Sequence, residues 1–213
     1  MQDSSKLTKG EKRRAEIIAH ARRVLIDDGY DSLVMRSLAN QAGMKLGNLQ
    51  YYFATREDLI EAVGQAELDR NLEILHSISR TPGTQKAVLK KLVQKIVTHW
   101  QQEGGRTFAV MSLFALHQRR FSDFHRQMYM QFYAALSDLL STFAPDLPRA
   151  ALMHKARLAT ALLDGALFQI PLSEAKNGNR EFLDELTDAI ILLLEAKHLF
   201  GSDAFCANYW HAK

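Results

Sequence analysis

Apolar side chains recur at intervals of three and four residues along most of this chain. The clearest run is Phe124, Met128, Phe132, Leu136, Leu139 and Phe143. This spacing places such side chains on one face of an α-helix, whereas a half-buried β-strand needs strict alternation. The sequence contains no convincing alternating run and no internal repeat, and only four prolines interrupt it. The pattern therefore predicts an all-α fold of about nine helices.

Polar and glycine-containing segments mark the ends of the first predicted helices. Thr8 followed by Glu11 has the form of a capping box, which begins a helix. Gly29 suits the left-handed residue that commonly ends one. Two short helices follow, one ending at Gly43 and one covering about residues 45–53. Two short helices joined by a glycine-containing turn are typical of a helix-turn-helix.

This pattern predicts two functional regions. Residues 1–55 are predicted to form a three-helix bundle that contains the helix-turn-helix. A fourth helix over residues 56–79 connects this bundle to a larger helical domain, residues 80–213. Within that domain, Gly104-Gly105 and Pro171 are predicted to end helices, because glycine and proline interrupt helical patterns.

The charge is distributed unevenly along the chain. The net charge is +3, yet the residues through Arg56 carry ten basic and six acidic side chains, a local balance of +4. A basic segment on a near-neutral body favours an anionic partner at that end. The single cysteine, Cys206, has no partner for an internal disulfide, and no apolar run reaches the roughly 18 residues of a membrane span. We expect a cytoplasmic protein that does not bind membranes.

The third predicted helix has an unusual composition. Leu49 and Phe53 lie four residues apart and are predicted to face inward. The remaining large or polar side chains then lie on the exposed side or at an end of the helix: Lys45, Asn48, Gln50, Tyr51 and Tyr52. Gly47 costs such a helix up to about 1 kcal/mol relative to alanine.

These residue types suit a helix that enters the major groove of DNA. Asn and Gln can bind an adenine edge through two hydrogen bonds, and Lys can reach guanine or a phosphate. Tyrosine hydroxyls can donate to phosphate oxygens. Gly47 would remove a side chain where the helix approaches the duplex backbone. The alternative is a small capping bundle with half-buried tyrosines, and the residue types of one helix do not separate the two.

A longer motif lies in the segment "GYDSLVMRSLANQAGMKLGNLQYYFATREDLIEAV", residues 29–63. Its order is a Gly-aromatic pair, an "xxLAxxAG" second helix, a "GxL" followed by two aromatic residues and Phe, and a basic-acidic-x-Leu start to the fourth helix. From about Lys9 to Val63 the chain resembles the N-terminal domain of the TetR/AcrR family of bacterial transcriptional regulators.

The resemblance implies sequence-specific binding to a double-stranded DNA operator and, by the family's usual mode, repression relieved by a small-molecule effector of unknown identity. The implied DNA contacts are Arg36, Lys45, Gly47, Asn48, Gln50, Tyr51, Tyr52 and Arg56. Arg56 is expected to meet a phosphate at the start of the fourth helix. A ligand-responsive activator of the same fold is an alternative, as is a helical protein-interaction module without DNA binding.

The chain departs from the family pattern at several positions. Leu33 and Val34 stand where the family usually has threonines that cap the second helix, and Ser32 is the candidate replacement cap. Gln50 replaces a family tyrosine and adds an amide capable of reading a base. A basic stretch in the first helix either supplements the phosphate contacts or forms a solvated face: Lys9, Lys12, Arg13 and Arg14.

The resemblance implies that the C-terminal domain forms a homodimer. Its last two long helices are apolar on more than one face, which requires burial on two sides. The predicted dimer interface comprises Leu158, Leu162, Gly165, Ile190 and Leu194. The alternative is a larger monomeric core.

The same domain is expected to bind the effector. Ligand pockets are mostly apolar with few polar groups. The candidate effector-binding residues are Trp100, Phe108, Met111, Phe114, His117, Met128, Phe132 and Phe168, and each of them could equally be ordinary core. We expect effector binding to shift residues 108–116 and the fourth helix.

The sequence does not indicate an enzyme. It has no HExxH motif, no Cys/His cluster at zinc-binding spacing, no GxSxG motif and no phosphate-binding loop. We therefore predict no catalytic residue, no metal site and no cofactor.

Overall fold

The computed structural model describes residues 8–169 and 178–196 of the chain. The α-helices are α1 (Lys9–Asp27), α2 (Met35–Gln41), α3 (Leu46–Tyr52), α4 (Arg56–Ser79), α5 (Gln85–His99), α6 (Gly105–His117), α7 (Arg119–Ser141), α8 (Arg149–Gln169) and α9 (Gly178–Glu195). These ranges contain no β-strand, so the predicted all-α fold of about nine helices is confirmed. Pro171 and Cys206 lie outside the described residues.

Local capping interactions set the ends of the first helices. The Thr8 hydroxyl accepts from the Glu11 backbone N–H at 3.2 Å, and the Glu11 carboxylate accepts from the Thr8 backbone N–H at 2.8 Å. This is the predicted capping box. Gly29 and Gly43 have φ values of 81° and 63°, a left-handed conformation that costs residues with a side chain. Both glycines follow helix ends, as predicted.

The break predicted at Gly104-Gly105 lies elsewhere. α5 ends at His99, and the chain passes through a π-helical turn, Trp100–Gly104, in which Gln102 has a non-helical φ of −86° and ψ of −150°. Gly105 begins α6 and is buried. The interruption therefore comes from the non-helical backbone of Gln102, and the glycines lie at the start of the following helix.

The described residues form two compact units. The N-terminal unit comprises the described residues through Arg70 together with Gln102–Met128, and the C-terminal unit comprises Asn71–Gln101 together with the described residues from Tyr129 onward. This division differs from the predicted boundary after residue 79, because residues 102–128 supply Met111, Phe114 and Phe121 to the N-terminal core.

One apolar core holds the N-terminal unit together. Its fully buried side chains include Ile17 and Leu25 of α1, Leu38 of α2, Leu49 of α3, Leu59 of α4 and Met111 of α6. Residues far apart in sequence thus share one core, and each buried Leu or Ile contributes roughly 1.5–3 kcal/mol relative to exposure. The short helices α2 and α3 depend on this burial, because isolated helices of that length are not stable in water.

A buried ion-pair network joins three helices of the N-terminal unit. Glu67 of α4 is only 1% exposed, and its Oε2 lies 3.4 Å from Arg22 Nη2 and 3.2 Å from Arg70 Nη1. Arg22 also lies 3.1 Å from Glu103 and donates through Nε to the Thr107 hydroxyl at 3.0 Å. Burial lowers the pKa of the Arg22 guanidinium, against the attraction of Glu67. The network therefore connects α1, α4 and α6.

The C-terminal unit contains α5, α8 and α9, which pack against one another. Lys155 of α8 is 2% exposed and donates through Nζ to the carbonyls of Leu193 and Ala196 at 2.7 and 2.9 Å. These carbonyls belong to the C-terminal end of α9, where a helix has no internal donors left. Lys90 of α5 forms an ion pair with Asp184 of α9 at 2.6 Å.

Replacing Arg22 with alanine is expected to destabilise the protein by roughly 2–4 kcal/mol, because it leaves the Glu67 carboxylate buried with weaker compensation. Urea unfolding followed by circular dichroism measures the change. Arg126→Ala is the matched control, since the pair it forms with Asp123 is exposed and contributes about 0–1 kcal/mol. Equal effects of the two substitutions would contradict a structural role for the network.

Candidate nucleic-acid interface

Two buried side chains fix the orientation of α3. Leu49 and Phe53 are 0% and 3% exposed, as predicted. The guanidinium of Arg14 on α1 lies 5.0 Å from the centre of the Phe53 ring. The structure places Lys45 and Phe53 at the two caps of the helix, so α3 is slightly shorter than the predicted segment.

The turn between α2 and α3 is held by hydrogen bonds to its backbone. Arg13 of α1 donates through Nη2 to the carbonyl of Ala42 at 2.6 Å, and the Met44 N–H donates to the carbonyl of Ala39 at 2.9 Å. Arg13 also pairs with Glu16 at 2.8 Å. The guanidinium of Arg13 thus supports the turn, a structural role in addition to the phosphate contact considered from the sequence.

The outer face of α3 carries the predicted contact residues. Tyr51 is 86% exposed, and Lys45, Asn48 and Gln50 are also exposed, while Tyr52 is half-buried against the N-terminal core. Arg36 is exposed on α2. An open concavity of about 660 Å³ lies on this face, lined by Arg13, Gly43, Met44, Lys45, Asn48, Tyr51 and Tyr52. Seven of the eight predicted contact residues therefore lie on α2, on α3 or at the N-cap of α3. Each has an exposed or half-buried side chain or, for Gly47, an exposed backbone.

Gly47 has no role in the internal packing of the unit. A Cβ atom built on it meets no atom within 4 Å, and its φ is outside the left-handed region. The protein itself therefore has room for a side chain at this exposed position. Internal packing therefore does not explain the glycine, and a close approach of the duplex backbone at Gly47 stays a prediction.

Arg56 differs from the other predicted contacts. Its guanidinium carbon lies 3.6 Å from the centre of the Tyr30 ring, and Nη2 donates to the Tyr30 carbonyl. Tyr30 itself packs edge-on against Phe114 at 4.7 Å between ring centres. The Arg56 guanidinium is thus engaged inside the N-terminal unit, where it joins the start of α4 to the segment after α1.

The predicted cap at Ser32 is wrong. The Ser32 hydroxyl donates to the carbonyl of Asp28, and α2 begins after Val34 without a side-chain cap. Leu33 is fully buried, whereas Val34 is 51% exposed. Leu33 therefore anchors the start of α2 by apolar contact in the place of a capping hydroxyl.

Comparison with known proteins identifies this unit. Residues 17–63 match the model for bacterial regulatory proteins of the tetR family. Residues 17–63 therefore form a DNA-binding domain of the TetR type. The chain is a DNA-binding regulator, and its relatives are regulators rather than enzymes.

The similarity to known proteins extends over most of the chain. The nicotine-responsive transcriptional repressor HdnoR of Paenarthrobacter nicotinovorans is 24% identical over 84% of this chain and 94% of its own length. A putative transcriptional regulator from Pseudomonas aeruginosa has the same fold, with a TM-score of 0.74 and 19% identity over 92% of this chain and 96% of that one. A putative regulator from Saccharomonospora viridis, solved in complex with choline, has a TM-score of 0.67 and 15% identity over 85% and 96%.

The predicted effector residues are divided between the two units. Met111 and Phe114 belong to the core of the N-terminal unit, and His117 and Phe168 are exposed. The N-terminal unit also contains Phe108 and Met128, and the C-terminal unit contains Trp100, Phe132 and Phe168. The Trp100 indole donates to the Asn71 side chain at 2.8 Å. Met111 and Phe114 are therefore ordinary core residues, which is the alternative that the sequence left open.

The predicted dimer residues also need correction. Leu158, Leu162 and Gly165 are exposed on α8, whereas Ile190 and Leu194 are only 3% and 6% exposed. Ile190 and Leu194 are used within the protomer, because α9 packs on α5 and α8. The exposed apolar residue of α9 is Leu192, at 66%.

Sequence reasoning missed a polar cluster in the C-terminal unit. The Tyr129 hydroxyl of α7 donates to Asp164 Oδ2 of α8 at 2.7 Å, and the ring of Tyr133 lies 5.4 Å from that of Tyr129. Burial raises the pKa of the Asp164 carboxyl to about 6, with the Tyr129 hydrogen bond acting in the opposite direction. An aspartate on an apolar helix was the available signal, but spacing alone does not reveal partners on another helix.

Within the described residues, no group of three or more His, Cys, Asp or Glu side chains is placed to hold a metal ion. None of the helices in these ranges is long and apolar enough to cross a membrane.

Replacing Gly47 with alanine is expected to leave the free energy of unfolding unchanged or to raise it by up to about 1 kcal/mol, because alanine favours helix. Operator affinity is expected to fall about tenfold, since the methyl group separates α3 from the duplex. Fluorescence anisotropy with labelled operator and urea unfolding measure the two quantities. Gly10→Ala is the control, because Gly10 is also the second residue of its helix and also has open space around it. Undiminished operator affinity of Gly47→Ala would contradict the close approach.

Proposed function

We propose that this protein is a cytoplasmic repressor of the TetR family that binds its operator as a homodimer and is released by a small-molecule effector. The observation that supports operator reading best is the contrast between the two sides of α3. Its inner side is anchored by Leu49 and Phe53, while Lys45, Asn48, Gln50 and Tyr51 are exposed around a glycine that packing does not require. An anchored helix with polar groups outward is what major-groove readout needs.

The exposed residues divide by chemistry into two proposed roles. Asn48 and Gln50 carry amides that can pair with adenine edges, and Lys45 can reach a guanine or a phosphate. Arg36, Tyr51 and Tyr52 carry donors suited to phosphate oxygens, which position a protein without specifying sequence. The backbone at Gly47 lies between these groups and provides the close approach.

Arg56 was assigned a phosphate contact by resemblance, but its internal geometry favours a structural role. The guanidinium stacks on Tyr30 and donates to its carbonyl. We therefore propose that Arg56 supports the interface by holding α4, and a direct phosphate contact would require it to leave the Tyr30 ring.

Repression and effector release are supported by relatives. HdnoR is a nicotine-responsive repressor, and the Saccharomonospora viridis regulator was solved with choline, so both relatives are associated with small molecules. Within the N-terminal unit, Arg22–Glu67 joins α1 to α4 and Arg106–Asp27 joins α6 to α1. A shift of α4 or of α6 therefore has a direct route to the DNA-binding helices, provided that the effector binds two conformers with different affinity. An activator of the same fold would use the same route.

A selection of bound sequences from a random duplex pool tests the proposal. A recovered two-fold symmetric sequence supports it, while recovery of no preferred sequence favours a helical protein-interaction module. Operator affinity with and without saturating effector then tests release, and unchanged affinity would contradict it.

The proposed contact roles of Lys45 and Gln50 predict different effects of substituting these two residues. Lys45→Ala is expected to reduce the slope of log affinity against log salt by about 1, because one phosphate or base contact by a cation is lost. Gln50→Ala is expected to keep the slope and to relax preference at one base pair, with a change of about 1–3 kcal/mol in discrimination. Salt titrations with operator and single-base variants measure both.

Arg56→Ala serves as the comparison for these two. It is expected to destabilise the protein by about 1–2 kcal/mol, through the loss of the Tyr30 stack and hydrogen bond, with the salt slope retained. A reduced slope at unchanged stability would instead assign Arg56 to phosphate.

The homodimer is proposed from an exposed stripe on α8. Its members lie three or four residues apart on one helix face, and all of them are exposed: Leu158, Ala161, Leu162, Gly165 and Phe168. Small side chains at Ala161 and Gly165 permit close approach of a second helix. A contiguous apolar stripe of this kind is typical of an interaction surface, and two-fold symmetry matches two half-sites on DNA.

Leu162→Glu is expected to convert dimers to monomers and to weaken operator binding by more than about tenfold, because a charge is placed in an apolar interface. Sedimentation velocity and anisotropy measure the two effects. Leu116→Glu is the matched control, since Leu116 is 79% exposed on α6, outside the stripe. A dimer that persists in Leu162→Glu would rule out this surface.

A further inference from the structure

We propose that Tyr129, Tyr133 and Asp164 form an anchor for an organic cation, namely a small quaternary or protonated amine. The anchor assigns a chemical class to the effector, and in that respect it rests on the proposed effector-responsive function. All three residues belong to the C-terminal unit and are half-buried, between its core and its surface.

The carboxylate of Asp164 has one satisfied and one unsatisfied oxygen. Oδ2 accepts from the Tyr129 hydroxyl at 2.7 Å, whereas Oδ1 is buried and has no hydrogen-bond donor. A buried acceptor without a donor costs about 1–3 kcal/mol, and more when the group is charged. An unsatisfied buried acceptor needs a physical explanation, and a bound donor or cation would offset its cost.

The described residues offer Asp164 no balancing charge. Three other aspartates of the C-terminal unit, Asp138, Asp184 and Asp188, each form an ion pair with a lysine or arginine. Within residues 8–169 and 178–196 Asp164 forms no such pair, and the influences on its pKa are burial and the Tyr129 hydrogen bond. Arg157 of the same helix acts on Tyr133. A negative group held in a poorly solvated place without a cation has an electrostatic preference for a positive ligand.

The two tyrosines define which kind of cation fits. They lie one turn apart on α7, with ring centres 5.4 Å apart and planes inclined at 35°. Aromatic rings attract alkylated ammonium groups through their π faces. A divalent metal ion would require several oxygen ligands, and a single carboxylate beside two phenols does not supply them. An anion would be repelled by Asp164. The cluster thus favours an organic ammonium ion.

Binding of matched ligand pairs to the full-length protein tests the anchor. The cations are choline and benzyltrimethylammonium, and their neutral carbon analogues are 3,3-dimethylbutan-1-ol and 2,2-dimethylpropylbenzene, which have the same shape without the charge. Isothermal titration calorimetry is expected to show at least one cation bound about tenfold or more tightly than its neutral analogue, because only the cation is attracted by the Asp164 charge and by the tyrosine π faces.

Substitutions at the cluster separate charge from shape. Asp164→Asn keeps the size and the acceptor for Tyr129 but removes the charge, and it is expected to lower cation affinity at least about tenfold. Tyr133→Leu is expected to lower it several-fold through loss of the ring. Asp146→Asn is the control, because Asp146 is an exposed aspartate of the same unit. Circular dichroism and sedimentation velocity confirm that each variant folds and dimerises.

The anchor would be overturned by any of three results. These are no binding of either cation to the unmodified protein, equal affinity for cation and neutral analogue, or equal cation affinity of Asp164→Asn and Asp146→Asn. Loss of the dimer in Asp164→Asn, with cation affinity retained, would assign the carboxylate to a subunit contact instead.

Operator affinity, measured in parallel, separates this inference from the proposed function. Operator binding by a protein that binds neither cation leaves the proposed repressor standing and overturns the anchor. Cation binding that depends on Asp164 but leaves operator affinity unchanged supports the anchor and contradicts its role in release.

Discussion

The recognition face depends on the burial of two side chains, Leu49 and Phe53, in the core of the N-terminal unit. A helix of seven residues does not persist alone, because the cost of nucleation exceeds the gain from so few hydrogen bonds. Burial of these anchors against α1, α2 and α4 provides the missing stability and fixes the rotation of α3 about its axis. As a result, the exposed side chains of Lys45, Asn48, Gln50 and Tyr51 lie outside the core, and each can be substituted to test DNA contact.

The two units differ in how far a buried carboxylate is compensated by its neighbours. In the N-terminal unit, Glu67 is buried with Arg22 and Arg70 close to it, so the charges on α1 and α4 compensate one another. In the C-terminal unit, Asp164 is held against Tyr129 with one oxygen unsatisfied. The first arrangement holds α1 and α4 together, since separating the charges is costly. The second retains an electrostatic preference for a ligand, at a cost to the stability of the folded state.

Interactions within one helix or turn were predictable from the sequence, whereas partners between helices were not. The Thr8–Glu11 capping box, the left-handed Gly29 and the end of the second helix at Gly43 depend on neighbours in the chain, and they were predicted correctly. Ile190 and Leu194 were misassigned because α9 is apolar on several faces, and periodicity does not say which face meets the protomer's own helices. Likewise, the sequence predicted that Arg56 at the start of α4 contacts a phosphate. Its stacking on Tyr30 was not predictable, because it depends on how two segments distant in sequence pack together.

The sequence by itself determined the helical class and the helix-turn-helix, and it supplied the residues that we propose as DNA contacts. Helical periodicity, caps and the long motif are all encoded in neighbouring residues. The effector-binding residues remained unassigned at that level, since apolar core and apolar pocket have the same composition. Only the tertiary structure decided that Met111 and Phe114 belong to the N-terminal core, that Leu192 and not Ile190 is exposed, and that Asp164 lies beside two tyrosines. The physical reason is that burial and charge compensation depend on residues that are distant in the chain and meet only when the helices pack.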